Sequence, residues 1–156
     1  MNKIVSMDEI YPLIEEKLNQ NGKVVFTPKG TSMFPTIVGD VDTVTLVKAK
    51  FPLAKYSIAL YKRDNGKFIL HRVVDVKDDC YVMRGDNQYS SESDIREDQI
   101  VGVVETYTSG DETKKAYGPE NDEYAINRFK QIDKRKKQIS IRRFFGNIKR
   151  KIIGAK

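Results

Sequence analysis

Histidine and cysteine each occur once in these 156 residues, at His71 and Cys80, and tryptophan is missing. A single cysteine excludes an internal disulfide. One histidine and one cysteine leave too few soft ligands for a structural zinc site, and no metal or other cofactor is expected. Long hydrophobic runs are also missing: no segment approaches the roughly 20 apolar residues of a membrane span. The N-terminus, MNKIVSMDEIYP, has no apolar stretch of signal-peptide length. Together these absences predict a cytoplasmic protein. Acid is scarce in one place only. Residues 127–156 hold 12 Lys and Arg against one acid, Asp133, for a net charge of +11, whereas the remainder carries −5. An acidic body with a basic tail is a marked asymmetry.

What is present divides into three parts. Residues 1–22 form the first. Ser6 and Glu9 have capping-box spacing, and Ile10, Leu13, Ile14 and Leu18 recur at helical intervals, which predicts a helix over about 7–20 ended by Asn21-Gly22. Residues 23–118 change texture. Runs at 24–26, 41–47, 56–62, 67–76, 80–83 and 99–107 are rich in Val, Ile, Tyr and Phe and read as strands. Asn65-Gly66 between two of them is a hairpin signal. Short strands at close spacing predict a mainly β fold, a compact barrel or coiled sheet. A polar stretch from 109 to 122 reads as a loop or weak hairpin and then a linker. Residues 119–156 form the third part, a basic helical tail.

Within the β region, KGTSMFPTIVGD at 29–40 is not ordinary turn chemistry. Ser32 is a nucleophile only if a base takes its proton. His71 is the one histidine, on a strand face shared with Ile69 and Val73. Taken alone, it reads first as a core or edge histidine satisfied by a backbone carbonyl, and Ser32 as a turn residue. Arg84-Gly85-Asp86-Asn87-Gln88 and then SSESD, with Glu92 and Asp94, add acids after the histidine.

Gly30-Thr31-Ser32-Met33-Phe34-Pro35, Gly39-Asp40, Leu70-His71-Arg72-Val73 and Gly85-Asp86-Asn87 occur in an order that resembles the superfamily of signal peptidase I and the LexA-type self-cleaving repressors. The likeness spans about residues 23–107 and is greatest to small soluble bacterial signal-peptidase-like proteins. It implies a LexA-like coiled-sheet catalytic fold with Ser32 as nucleophile at the rim of a substrate groove. Most bacterial members place a lysine where His71 stands. Histidine there looks like the archaeal and endoplasmic-reticulum type, which implies His71 as general base with Glu92, or else Asp94, orienting it. Asp86 and Asn87 would hold the loop beneath the site. Gly30, Thr31, Met33 and Pro35 would lie along the substrate, and since Gly30 replaces a serine found in some members, the oxyanion donors would be main-chain groups. The expected activity is cleavage of an extended peptide or leader segment, with small residues at the cut. One helix before the strands is too few for a DNA-reading domain, which argues against a repressor. The alternative is a catalytically silent peptide-binding or membrane-surface adaptor.

The tail has three readings. It is a solvated basic helix or disordered segment, an amphipathic helix on an anionic membrane surface, or a nucleic-acid arm. Phe144, Phe145, Ile148 and Ile152 on one side of a helix, with Arg and Lys around them, suit the membrane reading. A continuous apolar stripe argues against nucleic acid. The membrane reading would place the protein peripherally on the inner membrane face.

Overall fold

The computed structural model describes residues 7–153, with side chains placed through 150. The first helix, α1, spans Met7–Asn19. Eight strands follow: β1 (Val24–Phe26), β2 (Thr43–Val47), β3 (Ile58–Lys62), β4 (Phe68–Val76), β5 (Tyr81–Arg84), β6 (Glu92–Ile95), β7 (Ile100–Ser109) and β8 (Glu112–Lys115). The last helix, α2, runs from Pro119 to Ile153. Every strand pairing is antiparallel, in the order β1-β2-β7-β3-β4-β5-β6, with β8 also on β7. The fold is therefore mainly β, with a helix at each end.

The α1 helix ends where expected. Asn21 takes a left-handed φ of 56°, and the Gly22 N–H returns to the Lys17 carbonyl at 2.9 Å. The Ser6 half of the capping box lies outside the described residues. Six expected strands are present, two of them starting late. Val41 is exposed and Tyr56 has φ +71°, so β2 and β3 begin two residues after those positions. The acid-rich SSESD, not among the expected strands, contributes β6. Its pairing with Tyr81 and Met83 explains why a segment with low strand propensity is extended. Asn65-Gly66 closes the β3–β4 hairpin, with Gly66 at φ +83°.

The strands in the middle of the sheet are buried on both faces. Ile58 and Leu60 of β3 join Leu70, Val44, Leu46 and the α1 residues Ile14 and Leu18 in one cluster. Ala59 and Tyr61 alternate to the other face, with Val73, Tyr81, Met83 and Ile95. α1 thus covers one face of the sheet.

The expected linker before the tail is absent. β7 and β8 form a hairpin turning at Gly110, and Gly118-Pro119 starts α2 directly, with Glu120 and Asp122 in its first turn. The first turns of α2, which starts at Pro119, pack on the body. Ala125, Phe129 and Ile132 are buried against Tyr56 and Val74, and the Arg84 guanidinium lies 4.8 Å from the Phe129 ring centre. Beyond Lys136, whose ammonium donates to the Tyr89 carbonyl, every side chain described through Arg150 is exposed. Among the described residues, no helix is long and apolar enough to cross a membrane.

These two halves of α2 predict different stability effects. Phe129→Ala should cost about 3 kcal/mol in urea unfolding, the range for a buried aromatic. Phe144→Ala should stay within about 0.5 kcal/mol. Equal effects would show that the two halves are not distinguished by packing.

Candidate active site

The loop between β1 and β2 is shaped by backbone contact. Gly30 has φ +87°, and the Asp40 N–H donates to the Pro28 carbonyl at 2.8 Å. A Cβ on Gly39 would stand 1.9 Å from the Gly30 carbonyl oxygen. The two glycines of the 30–40 stretch therefore let one arm of the loop cross the other. Between them lies a tight turn in which Phe34 N–H donates to Thr31 O and Ile37 N–H to Met33 O, leaving the Ser32 and Met33 N–H groups outside the turn's own bonds. The Phe34–Pro35 peptide is cis. Met33 is 4% exposed and belongs to the α1-side core, although it also borders the cavity described below.

The Gly85-Asp86-Asn87 turn holds this loop from beneath. The Asn87 N–H donates to the Ser32 carbonyl at 2.8 Å, and Asn87 Nδ2 donates to the Thr31 carbonyl at 3.2 Å. Asp86 is fully buried. It accepts both Arg72 Nε (2.9 Å) and Arg72 Nη2 (2.7 Å), and also the Thr36 hydroxyl. Arg72 Nη1 reaches the Tyr56 carbonyl and Asn121 Oδ1. Thr36 Oγ1 lies 2.9 Å from Tyr124 Oη, and Arg128 Nε donates to the Asp86 carbonyl. Asp86 and Asn87 thus tie the Ser32 loop to β4, and the start of α2 closes the network.

His71 is buried on β4, its Nδ1 3.2 Å from Tyr61 Oη. The Tyr61 hydroxyl donates its one proton to Glu92 at 2.7 Å. Its oxygen is then left to accept, so His71 Nδ1 carries the hydrogen and Nε2 has the free lone pair. Nε2 faces the Ser32 loop. A Cβ on Gly85 would stand 3.1 Å from His71 Nε2 and 2.5 Å from the Ser32 carbonyl oxygen. Glu92, expected to orient His71, makes no hydrogen bond to it; Tyr61 Oη stands between them. Glu92 is gripped by Arg63, with Nε at 2.8 Å and Nη2 at 2.6 Å, and acts on His71 across Tyr61. Asp94 is exposed at φ +63°, bonded to the Ser93 hydroxyl, and takes no part.

Burial sets the electrostatics. It lowers the His71 pKa to about 4, and the Arg63 charge adds to the effect while Glu92 and Asp86 oppose it. Burial also raises the Tyr61 phenol, helped by its bond to the Glu92 carboxylate. Burial pushes the Glu92 carboxyl up, but the hydrogen bonds from Arg63 and Tyr61 and the Arg63 charge outweigh it, and Glu92 titrates below its usual range. At neutral pH the site holds a neutral imidazole beside a paired Arg63–Glu92.

Ser32 and His71 line one cavity of about 200 Å³, with Gly30, Met33, Leu70 and Gln88 among its walls. No hydrogen bond joins Ser32 Oγ to His71. Along the floor runs half of β4. Arg63 N–H bonds to Lys67 O and Val73 N–H to Ser57 O, so the hydrogen-bonded pairs between them are Tyr61/Ile69 and Ala59/His71. The main-chain groups of Phe68 and Leu70 therefore point away from β3. β5 pairs with β4 only from Arg72 onward. Among the described residues nothing pairs with the outer edge at Phe68–Leu70, which borders the cavity.

Tyr61 and Arg63 escaped the reading of the sequence. Counting back from the Asn65-Gly66 turn would have set Ala59 opposite His71 and put Tyr61 diagonal to it. Comparison of the chain with protein-family models, curated proteins and solved structures gives no match.

The depressed His71 pKa has a stability consequence. Between about 4 and the ordinary 6.5 the unfolded chain binds a proton that the folded one does not. Stability should be level above 6.5 and fall as pH drops toward 4, by about 3 kcal/mol. Urea titrations at pH 7 and pH 4 should show wild type losing that much more than His71→Gln. Equal losses would mean that the imidazole is not held neutral by the fold.

Proposed function

We propose that the chain is a serine endopeptidase of the signal-peptidase-like type, with Ser32 as nucleophile, His71 as general base and the coiled-sheet catalytic fold of that superfamily. The observation that carries this reading is the His71 imidazole, fixed in the Nδ1–H tautomer with Nε2 turned to the Ser32 loop across one cavity. Ser32 Oγ would attack the scissile carbonyl and give its proton to Nε2. His71 would return that proton to the leaving amine, and water would then release the acyl group by the same steps in reverse order. The Ser32 and Met33 N–H groups, free of the turn's own bonds, suit the oxyanion. An extended substrate would pair with Phe68 and Leu70 as an added strand. Gly30 and Thr31 would flank it on the opposite wall, while Pro35 supports the turn without facing the substrate.

The missing bond between Ser32 Oγ and His71 favours a second reading, a module that binds an extended peptide in the same groove without cutting it. Mass spectrometry separates the two. A cell peptidome incubated with wild type should show cuts that are lost with both Ser32→Ala and His71→Ala. Identical peptide sets from all three proteins would leave only the binding module.

The pH dependence is distinctive. The base form of His71 is lost only below about 4, so kcat/KM should hold level from pH 7 down to 5 and fall with a midpoint near 4. Arg63→Gln removes a neighbouring positive charge and frees the Glu92 charge, so the midpoint should move up toward 6.5. An unchanged midpoint would exclude Arg63 as the residue that tunes the base.

A further inference from the structure

Helix α2 carries two apolar faces. Ala125, Phe129 and Ile132 form the first and are buried against the body. Ile141, Phe144, Phe145 and Ile148 form the second and are 56%, 63%, 63% and 38% exposed. Ile152 continues that spacing, with its side chain outside the described residues. At 3.6 residues per turn the two faces point about 140° apart around the axis. The second face is therefore not a continuation of the first, and the sheet to which α2 is fixed cannot cover it.

From these faces we infer that the distal half of α2 docks the protein on an anionic bilayer surface, inserting Phe144, Phe145, Ile141 and Ile148 among the headgroups and upper acyl chains. The charge pattern selects this occupant. Residues 134–151 hold nine Lys and Arg and no acid. Arg142 and Lys149 flank the stripe, and Arg143 and Arg150 stand behind it. Such a helix gains from anionic lipid through charge and from the interface through its apolar face. A second copy would bring the same positive charge against itself, and the stripe is shorter than the three or four heptads of a sustained coiled coil. Nucleic acid would use the cations but leave the Phe144–Phe145 pair, with ring centres 5.7 Å apart, without a role. The inference is independent of peptidase activity.

Vesicle flotation with the full chain tests it. Wild type should float with phosphatidylcholine vesicles containing about 30% phosphatidylglycerol and stay behind with phosphatidylcholine alone. The bound fraction should fall in high salt. The double variant Phe144→Ser/Phe145→Ser should lose at least about tenfold in partitioning. Its melting temperature should be unchanged, because neither ring packs on the body. Failure of wild type to float would overturn the inference, as would unchanged flotation of the double variant. Two other results would also overturn it: tighter binding to an oligonucleotide than to vesicles at the same salt, or a dimer in solution that the double variant abolishes.

Discussion

Arg72 and Asp86 are buried together with no access to water, and between them they tie the Ser32 loop, the loop before β3 and the start of α2 to the strand that carries His71. Taking two charges out of water costs several kcal/mol each, and a buried pair survives only when its remaining hydrogen-bonding groups are met. Here they are met by three separate segments. The Ser32 loop supplies Thr36, the loop before β3 supplies the Tyr56 carbonyl, and α2 supplies Asn121. Arg72 follows His71 in β4, and Asp86 sits between Gly85 and Asn87. A pair of charges with one good geometry therefore fixes the strand bearing His71 relative to the turn that holds the Ser32 carbonyl. A slip of β4 by one residue would exchange the faces of His71 and Arg72 and break both arrangements.

The two faces of β4 at this point carry opposite solutions to burying polar groups. Arg72, on one, keeps its charge by close pairing. His71, on the other, gives up its charge and becomes a neutral acceptor. The difference follows from their neighbours. Asp86 meets Arg72 directly, whereas Glu92 is spent on Arg63 and reaches His71 only through a neutral phenol. A neutral imidazole with one nitrogen tied has its base form fully populated at physiological pH, at the expense of some basicity.

Much of this arrangement is legible in the sequence. The alternation of Ile69, His71 and Val73, the Asn65-Gly66 turn and the spacing of α1 are local patterns, and local patterns survive folding. Gly39 was legible as part of a motif, but its reason, a backbone crossing at Gly30, lies in the tertiary contact. Tyr61 and Arg63 carried no sign of a role because an aromatic and a base in a strand are ordinary. Their importance comes from register across the hairpin, which composition does not report. β6 was hidden because its pairing with β5, rather than its own residues, makes it a strand. The start of α2 was misread as tail because Ala125, Phe129 and Ile132 are diluted among charges, and only the sheet shows which side of the helix they share.

The unpaired edge at Phe68–Leu70 sits within a sheet rather than at its margin. Free edges normally invite another sheet and lead to aggregation. This one spans three residues and faces the crossed arms of the Ser32 loop, with the Gly85 turn closing its end. A second sheet, several strands wide and held flat, has no approach to it, whereas a single flexible chain does. The same walls that shape the cavity thus protect the molecule from its own kind, and any change that straightened the Gly85 turn would extend β5 along the edge and abolish opening and hazard together.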